Sequence, residues 1–133
     1  MPKFGKKSEE RLATCHVDLQ RLFNEVIKHY DCTVTCGHRG KDEQDEAVRT
    51  GVSKLSFPNS KHNSLPSKAI DVVPFPIDWN NRERFLHFVG FVLGVSKLLG
   101  IKIRCGADFN GDLNFKNDSL FDAPHFELVE DDK

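Results

Sequence analysis

Several classes of protein are excluded by what this 133-residue chain lacks. Its four cysteines, at positions 15, 32, 36 and 105, are too few and too irregularly spaced for a disulfide framework or a paired C-x-x-C zinc module. They read as reduced, mostly buried thiols. No apolar run approaches the roughly 20 residues of a membrane-spanning helix, so no stable membrane association is expected. Neither sign of charge prevails: 19 Lys and Arg stand against 20 Asp and Glu, a net charge of −1. That balance denies the chain the broad basic field that holds nucleic acid, and no nucleic-acid partner is expected. The opening Met-Pro-Lys-Phe-Gly-Lys-Lys is basic but has no apolar stretch behind it, so it does not read as a secretory signal.

What remains is a globular mixture, 38% hydrophobic and 29% charged, of a length that suits one domain spanning residues 1–133. Leu12, Leu19, Leu22, Phe23, Val26, Ile27 and Tyr30 recur at spacings of three and four, which predicts one helix from Ser8, as N-cap, to about Tyr30. Thr33–Thr35 reads as a short β-branched strand, Lys41 to about Arg49 as a charged helix, and Gly51 to Lys68 as loop. Ala69–Val73 is a second strand, stopped by Pro74 and Pro76. A helix over about Asn81–Leu99 presents Phe85, Phe88, Val89, Val92, Val95 and Leu99 on one face and ends at Gly100. Within it, Gly90 and Gly94 predict close approach of another element. Ile101–Cys105 and His125–Val129 alternate as strands. Helices and strands segregate, which predicts an α+β fold with a small, mainly antiparallel sheet flanked by helices.

The chemistry concentrates in two stretches. Asp71 is a carboxylate inside the apolar strand Ala69–Val73, where it needs a cation or several hydrogen-bond donors. His62 lies in the turn-rich segment before it, and His125 opens the last strand. Two imidazoles and one carboxylate form a three-ligand zinc set that leaves a position for water, and Asp122 would stand beside it as general base. On chemistry alone the same residues also read as a surface histidine and a hydrogen-bonded buried aspartate.

The motifs distinguish these readings. Ser60-x-His62, Ala69-x-Asp71 and Asp122-x-x-His125-x-Glu127-Leu128 resemble the superfamily of zinc D-alanyl-D-alanine carboxypeptidases and L-alanyl-D-glutamate peptidases, in particular the small endolysins of bacteriophages. Phe4-Gly5-Lys6-Lys7-Ser8-x-x-x-Leu12, Gly37-x-Arg39 and Gly106-Ala107-Asp108-Phe109 also look like those endolysins, so the resemblance runs along nearly the whole chain. It implies a compact D,D-peptidase/hedgehog-like fold, one Zn2+ held by His62, Asp71 and His125, Asp122 as the catalytic carboxylate, and Arg39 facing the substrate near the metal. Arg39 would stabilise the developing oxyanion or pair a carboxylate of the stem peptide; its structural alternative is a surface salt bridge with Asp42 or Glu43. Glu127 would either hydrogen-bond a ligand imidazole or point to solvent. Two departures stand out: the step from His62 to Asp71 is two positions longer than in the commoner S-x-H-x-x-G-x-A-x-D pattern, and Phe109 replaces a common tryptophan.

The implied function is a zinc endopeptidase of peptidoglycan stem peptides, cutting the L-alanyl-D-glutamate bond as a phage endolysin. It would be made in the host cytoplasm and act on the wall once the membrane is permeabilised, as a monomer without a separate cell-wall-binding domain. The rivals are a D-alanyl-D-alanine carboxypeptidase or dipeptidase, a non-catalytic zinc-binding wall-recognition domain and, more distantly, a cysteine hydrolase. Asp108, Asn110, Asp112 and Asn114 alternate like the first half of a Ca2+ loop, but Leu113 and Ser119 occupy its glycine and glutamate positions. The segment reads either as a weak calcium site or as an Asx-turn loop.

Overall fold

The computed structural model describes residues 2–106 and 124–129. Among them, in chain order, are helices α1 (Lys6–Leu12) and α2 (Val17–Val26), strand β1 (Cys32–Cys36), helix α3 (Lys41–Arg49), a 3-10 turn (Lys61–Asn63), strand β2 (Ala69–Pro74), helix α4 (Arg82–Leu99), and strands β3 (Ile103–Cys105) and β4 (His125–Leu128). The strands form one open antiparallel sheet in the order β1-β2-β4-β3. The α+β expectation therefore holds.

Alternation along the strands separates the core from the site. Directly opposed residues share a face of a sheet. Ile70 lies opposite Phe126, Val34 opposite Val72 and Ile103 opposite Leu128, which collects apolar side chains on one face. Phe126 meets Phe23 of α2 and Phe88 of α4 edge-on, at centroid separations of 5.5 and 6.3 Å. Leu19, Leu22, Phe23 and Val26 from α2, with Phe85, Phe88, Val89 and Val92 from α4, complete this buried layer. Asp71 lies opposite His125, and Glu127 lies opposite both Ala69 and Arg104; these residues occupy the other face.

The expected single helix from Ser8 to Tyr30 is two helices. The periodicity is right, but residues 14–16 leave the helix to pair with the segment before β2. The Ser67 N–H donates to the Thr14 carbonyl and the His16 N–H to the Ser67 carbonyl, both at 2.8 Å. His16 then caps α2, its Nδ1 accepting the Asp18 N–H. Ser8 is not the N-cap, a position held by Gly5; its buried hydroxyl instead accepts the Val34 N–H. With Arg11 donating to the Val34 carbonyl, α1 satisfies the outer backbone groups of edge strand β1. Close packing at Gly90 and Gly94 is also corrected: a Cβ built on either glycine meets nothing within 4 Å. Helix α4 otherwise agrees, with Asn81 as N-cap and Gly100 in the left-handed conformation that ends it.

Burial pushes the Cys15 and Cys32 thiols from 9.0 up to about 12. The unfolded chain thus releases these protons first, so the stability they contribute is complete below pH 9 and is lost between pH 9 and 12. The loss is at most about 1.4 kcal/mol per pH unit per thiol. Denaturant unfolding at pH 8 and pH 10.5 checks this: Cys32→Ala should flatten the alkaline decline.

Candidate metal centre

Three elements converge on one point. The Lys61–Asn63 turn carries His62, and the logic of Ser60-x-His62 is local: Ser60 Oγ accepts the His62 N–H, while Asn63 Oδ1 accepts the Ser60 N–H. This holds the turn in one shape and buries His62 to 2% exposure. Strand β2 supplies Asp71 and β4 supplies His125 directly opposite it. The longer loop between His62 and Asp71 closes at its base, where the Lys68 N–H donates to the Lys61 carbonyl. Two extra residues in a loop of this kind add little to its closure entropy.

The geometry among the three side chains is tight. His62 Nε2 lies 3.2 Å from Asp71 Oδ1 and 3.3 Å from His125 Nδ1, and His125 Nδ1 lies 3.1 Å from Asp71 Oδ1. Three tetrahedral zinc ligands at about 2.0–2.1 Å from the ion are about 3.3 Å apart, so these atoms fit one such ion. The far nitrogens are tied back: His62 Nδ1 lies 2.8 Å from the Gly37 carbonyl, and His125 Nε2 2.8 Å from Glu127 Oε1. Each such partner orients its ring and leaves the other nitrogen's lone pair for a metal. Glu127 thus takes the hydrogen-bonding option, not the solvent one.

The electrostatics reflect the crowding. Burial favours the neutral His62 ring, yet its hydrogen bonds to Asp71 and Cys36 prevail and push its pKa up to about 10. His125 is likewise raised against burial by Asp71 and Glu127. Burial would raise Asp71, but the two imidazoles hold its carboxyl well below the usual range. Without metal, the two rings' hydrogen bonds compensate the Asp71 carboxylate, and a divalent cation would have to take their place.

Arg39 turns inward rather than out towards Asp42 or Glu43. At 8% exposure, its Nη1 donates to Gln44 Oε1 at 2.9 Å, while Nη2 lies 3.8 Å from Asp71 Oδ2 and 3.5 Å from Cys36 Sγ. Asp71 thus presents one oxygen to the imidazoles and the other to the guanidinium. Gln44, fully buried on α3, also accepts from Asn63 and donates to Ser53 and the Leu55 carbonyl.

Sequence reasoning missed Gln44 and Cys36. Strand alternation would place Cys36 with Cys32 and Val34 on the core face. A bulge between Val34 and Cys36 instead sets it opposite Asp71. Its Sγ lies within 4.8 Å of ligand-capable atoms of His62 and Asp71, a second possible donor set. The facing atoms of His62, Asp71 and His125 are closer together, and Cys36 approaches His62 on Nδ1, at 3.8 Å, where the Gly37 carbonyl already sits. Asp122 and the candidate calcium residues Asp108, Asn110, Asp112 and Asn114 lie outside the described residues.

Gly37 is where this arrangement is most sensitive to a single methyl group. A Cβ there would fall 2.4 Å from the Arg11 carbonyl oxygen and 2.5 Å from Thr14 Oγ1. Gly37→Ala should lower stability by about 1–3 kcal/mol, as overpacking does, and weaken metal binding by displacing the carbonyl behind His62. Thermal unfolding and metal titration of the variant check both.

Known proteins share this arrangement of the chain. An L-alanyl-D-glutamate peptidase of Escherichia phage T5 is 35% identical over 135 residues, covering 96% of this chain and 98% of that protein. The crystal structure of the Serratia marcescens L-Ala D-Glu endopeptidase ChiX superposes with a TM-score of 0.74 at 27% identity, covering 96% of this chain and 90% of that one. The family model for phage L-alanyl-D-glutamate peptidases matches residues 1–129. A match over nearly the full length, with a relative this similar, identifies the chain as a member of the phage L-alanyl-D-glutamate peptidase family.

Proposed function

We propose that the protein is a zinc peptidase that hydrolyses the L-alanyl-D-glutamate bond of peptidoglycan stem peptides and serves a phage as an endolysin. The observation that carries this reading is the convergence of His62 Nε2, His125 Nδ1 and Asp71 Oδ1 to within 3.1–3.3 Å of one another in a chain of this family. The donor set suits zinc: two imidazoles and one carboxylate, with both rings held from behind. Zinc held there would supply Lewis acidity and a water nucleophile at neutral pH.

The remaining chemistry belongs to the chain. Asp122, three residues before His125, takes the proton of the attacking water and returns it to the leaving amine. Arg39, fixed by Gln44, keeps a positive charge against Asp71 and beside the scissile carbonyl, where charge develops in the transition state. The enzyme acts on the wall as a monomer after the host membrane has been permeabilised; among the described residues no helix is long and apolar enough to cross a membrane.

Digestion of purified muropeptides, analysed by mass spectrometry with and without chelator, tests the reading. Release of stem peptides lacking L-alanine, abolished by chelator and restored by zinc, is the expected result. Loss of terminal D-alanine alone would assign the bond to a carboxypeptidase instead, and zinc uptake without any cleavage would assign a binding domain.

A further inference from the structure

The face of the sheet that carries Asp71 and His125 also carries a carboxylate with no direct place in the hydrolysis. Glu127 is buried to 7% exposure, and an unpaired charge there would be heavily penalised. Its oxygens are fully engaged. Oε1 accepts from His125 Nε2 at 2.8 Å, whereas Oε2 lies 2.9 Å from Arg104 Nε on β3 and 3.2 Å from Lys61 Nζ. Lys61 immediately precedes His62 in the turn, and its ammonium also donates to the Leu128 carbonyl of β4. Backbone bonds complete the ring, from the Leu128 N–H to the Lys68 carbonyl and from the Lys68 N–H to the Lys61 carbonyl. Ala69 lies opposite Glu127, so the neighbouring position on this face is filled by a methyl group.

We propose that Glu127 is a positioning residue that holds His125 with Nδ1 toward the metal and, through Lys61, braces the turn carrying His62 against the same strand. The inference rests on the zinc reading given above. It assigns one carboxylate to both imidazoles: directly to His125, at second hand to His62. Among the described residues the Lys61 ammonium meets Glu127 and the Leu128 carbonyl. Loss of its positive charge would by itself favour a bound cation, so weaker metal binding without it would have to come through Glu127 and the turn.

The test uses the full-length chain and three substitutions, Glu127→Gln, Glu127→Ala and Lys61→Met. Zinc affinity is measured by competition with a chromophoric chelator, alongside the melting temperature of each metal-free protein. Loss of a residue supporting a ligand imidazole typically weakens metal binding about 10- to 100-fold, and Glu127→Ala should fall in that range. Glu127→Gln keeps an acceptor for the imidazole N–H but loses the charge that holds Lys61 and Arg104, so it should lie between Ala and the parent. Lys61→Met should weaken zinc binding by a smaller factor in the same direction while the metal-free protein melts close to the parent. If Glu127→Ala fails to fold, the other two variants decide the matter. Parental zinc affinity in both Glu127→Gln and Lys61→Met would overturn the brace alone, whereas a parent that takes up no zinc would overturn the metal assignment and the brace with it.

Discussion

Replacement of His125 by alanine is expected to remove zinc and hydrolytic activity together. His125 Nδ1 lies 3.1 Å from Asp71 Oδ1 and 3.3 Å from His62 Nε2, so its loss leaves two of the three proposed ligands and an opening on the β4 side. It also strands Glu127, whose Oε1 then faces the vacated space while Arg104 and Lys61 retain Oε2. Metal-ion catalysis supplies several kcal/mol of transition-state stabilisation, and about 4 kcal/mol corresponds to three orders of magnitude in rate. The variant should therefore retain less than about one-thousandth of the parental activity. It should also lack the rise in melting temperature expected of the parent on adding zinc, because a ligand bound only by the folded state stabilises it by mass action. Metal analysis of the purified variant, with melting curves at several zinc concentrations, checks the result. Near-stoichiometric zinc in His125→Ala would move the ligand set towards Cys36, which lies within 4.8 Å of ligand-capable atoms of His62 and Asp71.

Asp122→Asn is expected to separate metal binding from catalysis. Asparagine keeps the size and shape of aspartate but cannot accept a proton at neutral pH. Loss of a general base removes about 100- to 10,000-fold in rate. Because the proposed ligands are His62, Asp71 and His125, the Asn variant should fold, hold near-stoichiometric zinc and bind it as tightly as the parent. A variant that is inactive and also zinc-free would make Asp122 a ligand. A fully active one would place the base elsewhere, and Glu127 would be a poor substitute: its two oxygens are engaged by His125, Arg104 and Lys61. Lysis rate and zinc content, measured on the same preparations, distinguish these outcomes.

Much of this site is legible along the chain because its parts are local. The Ser60 hydroxyl and the His62 N–H are two residues apart, and their hydrogen bond needs nothing distant. Asp71 stands out because a lone carboxylate in an apolar strand must be compensated by something. Asp71, His125 and Glu127 fall on one sheet face by the two-residue period of a strand, once β2 and β4 are known to pair. The element types follow in the same way: the apolar stripes of α2 and α4 and the Gly100 terminus need only periodicity and backbone preference.

What sequence could not decide depends on pairings between distant segments. The helical period runs unbroken past Thr14–His16, yet these residues leave the helix because Ser67, some fifty positions later, offers better backbone partners. The bulge that turns Cys36 from the core face to the site is a property of β1 paired with β2, since register exists only between strands. The resemblance sets Arg39 near the metal, with a surface salt bridge as its alternative, and only the packing of α3 brings the fully buried Gln44 against it and turns its guanidinium to Asp71. Local hydrogen bonds and strand period thus determined which elements and faces carry these side chains, and the motif resemblance singled out His62, Asp71 and His125 among them. Long-range strand register and helix packing decided which atoms of those residues face one another.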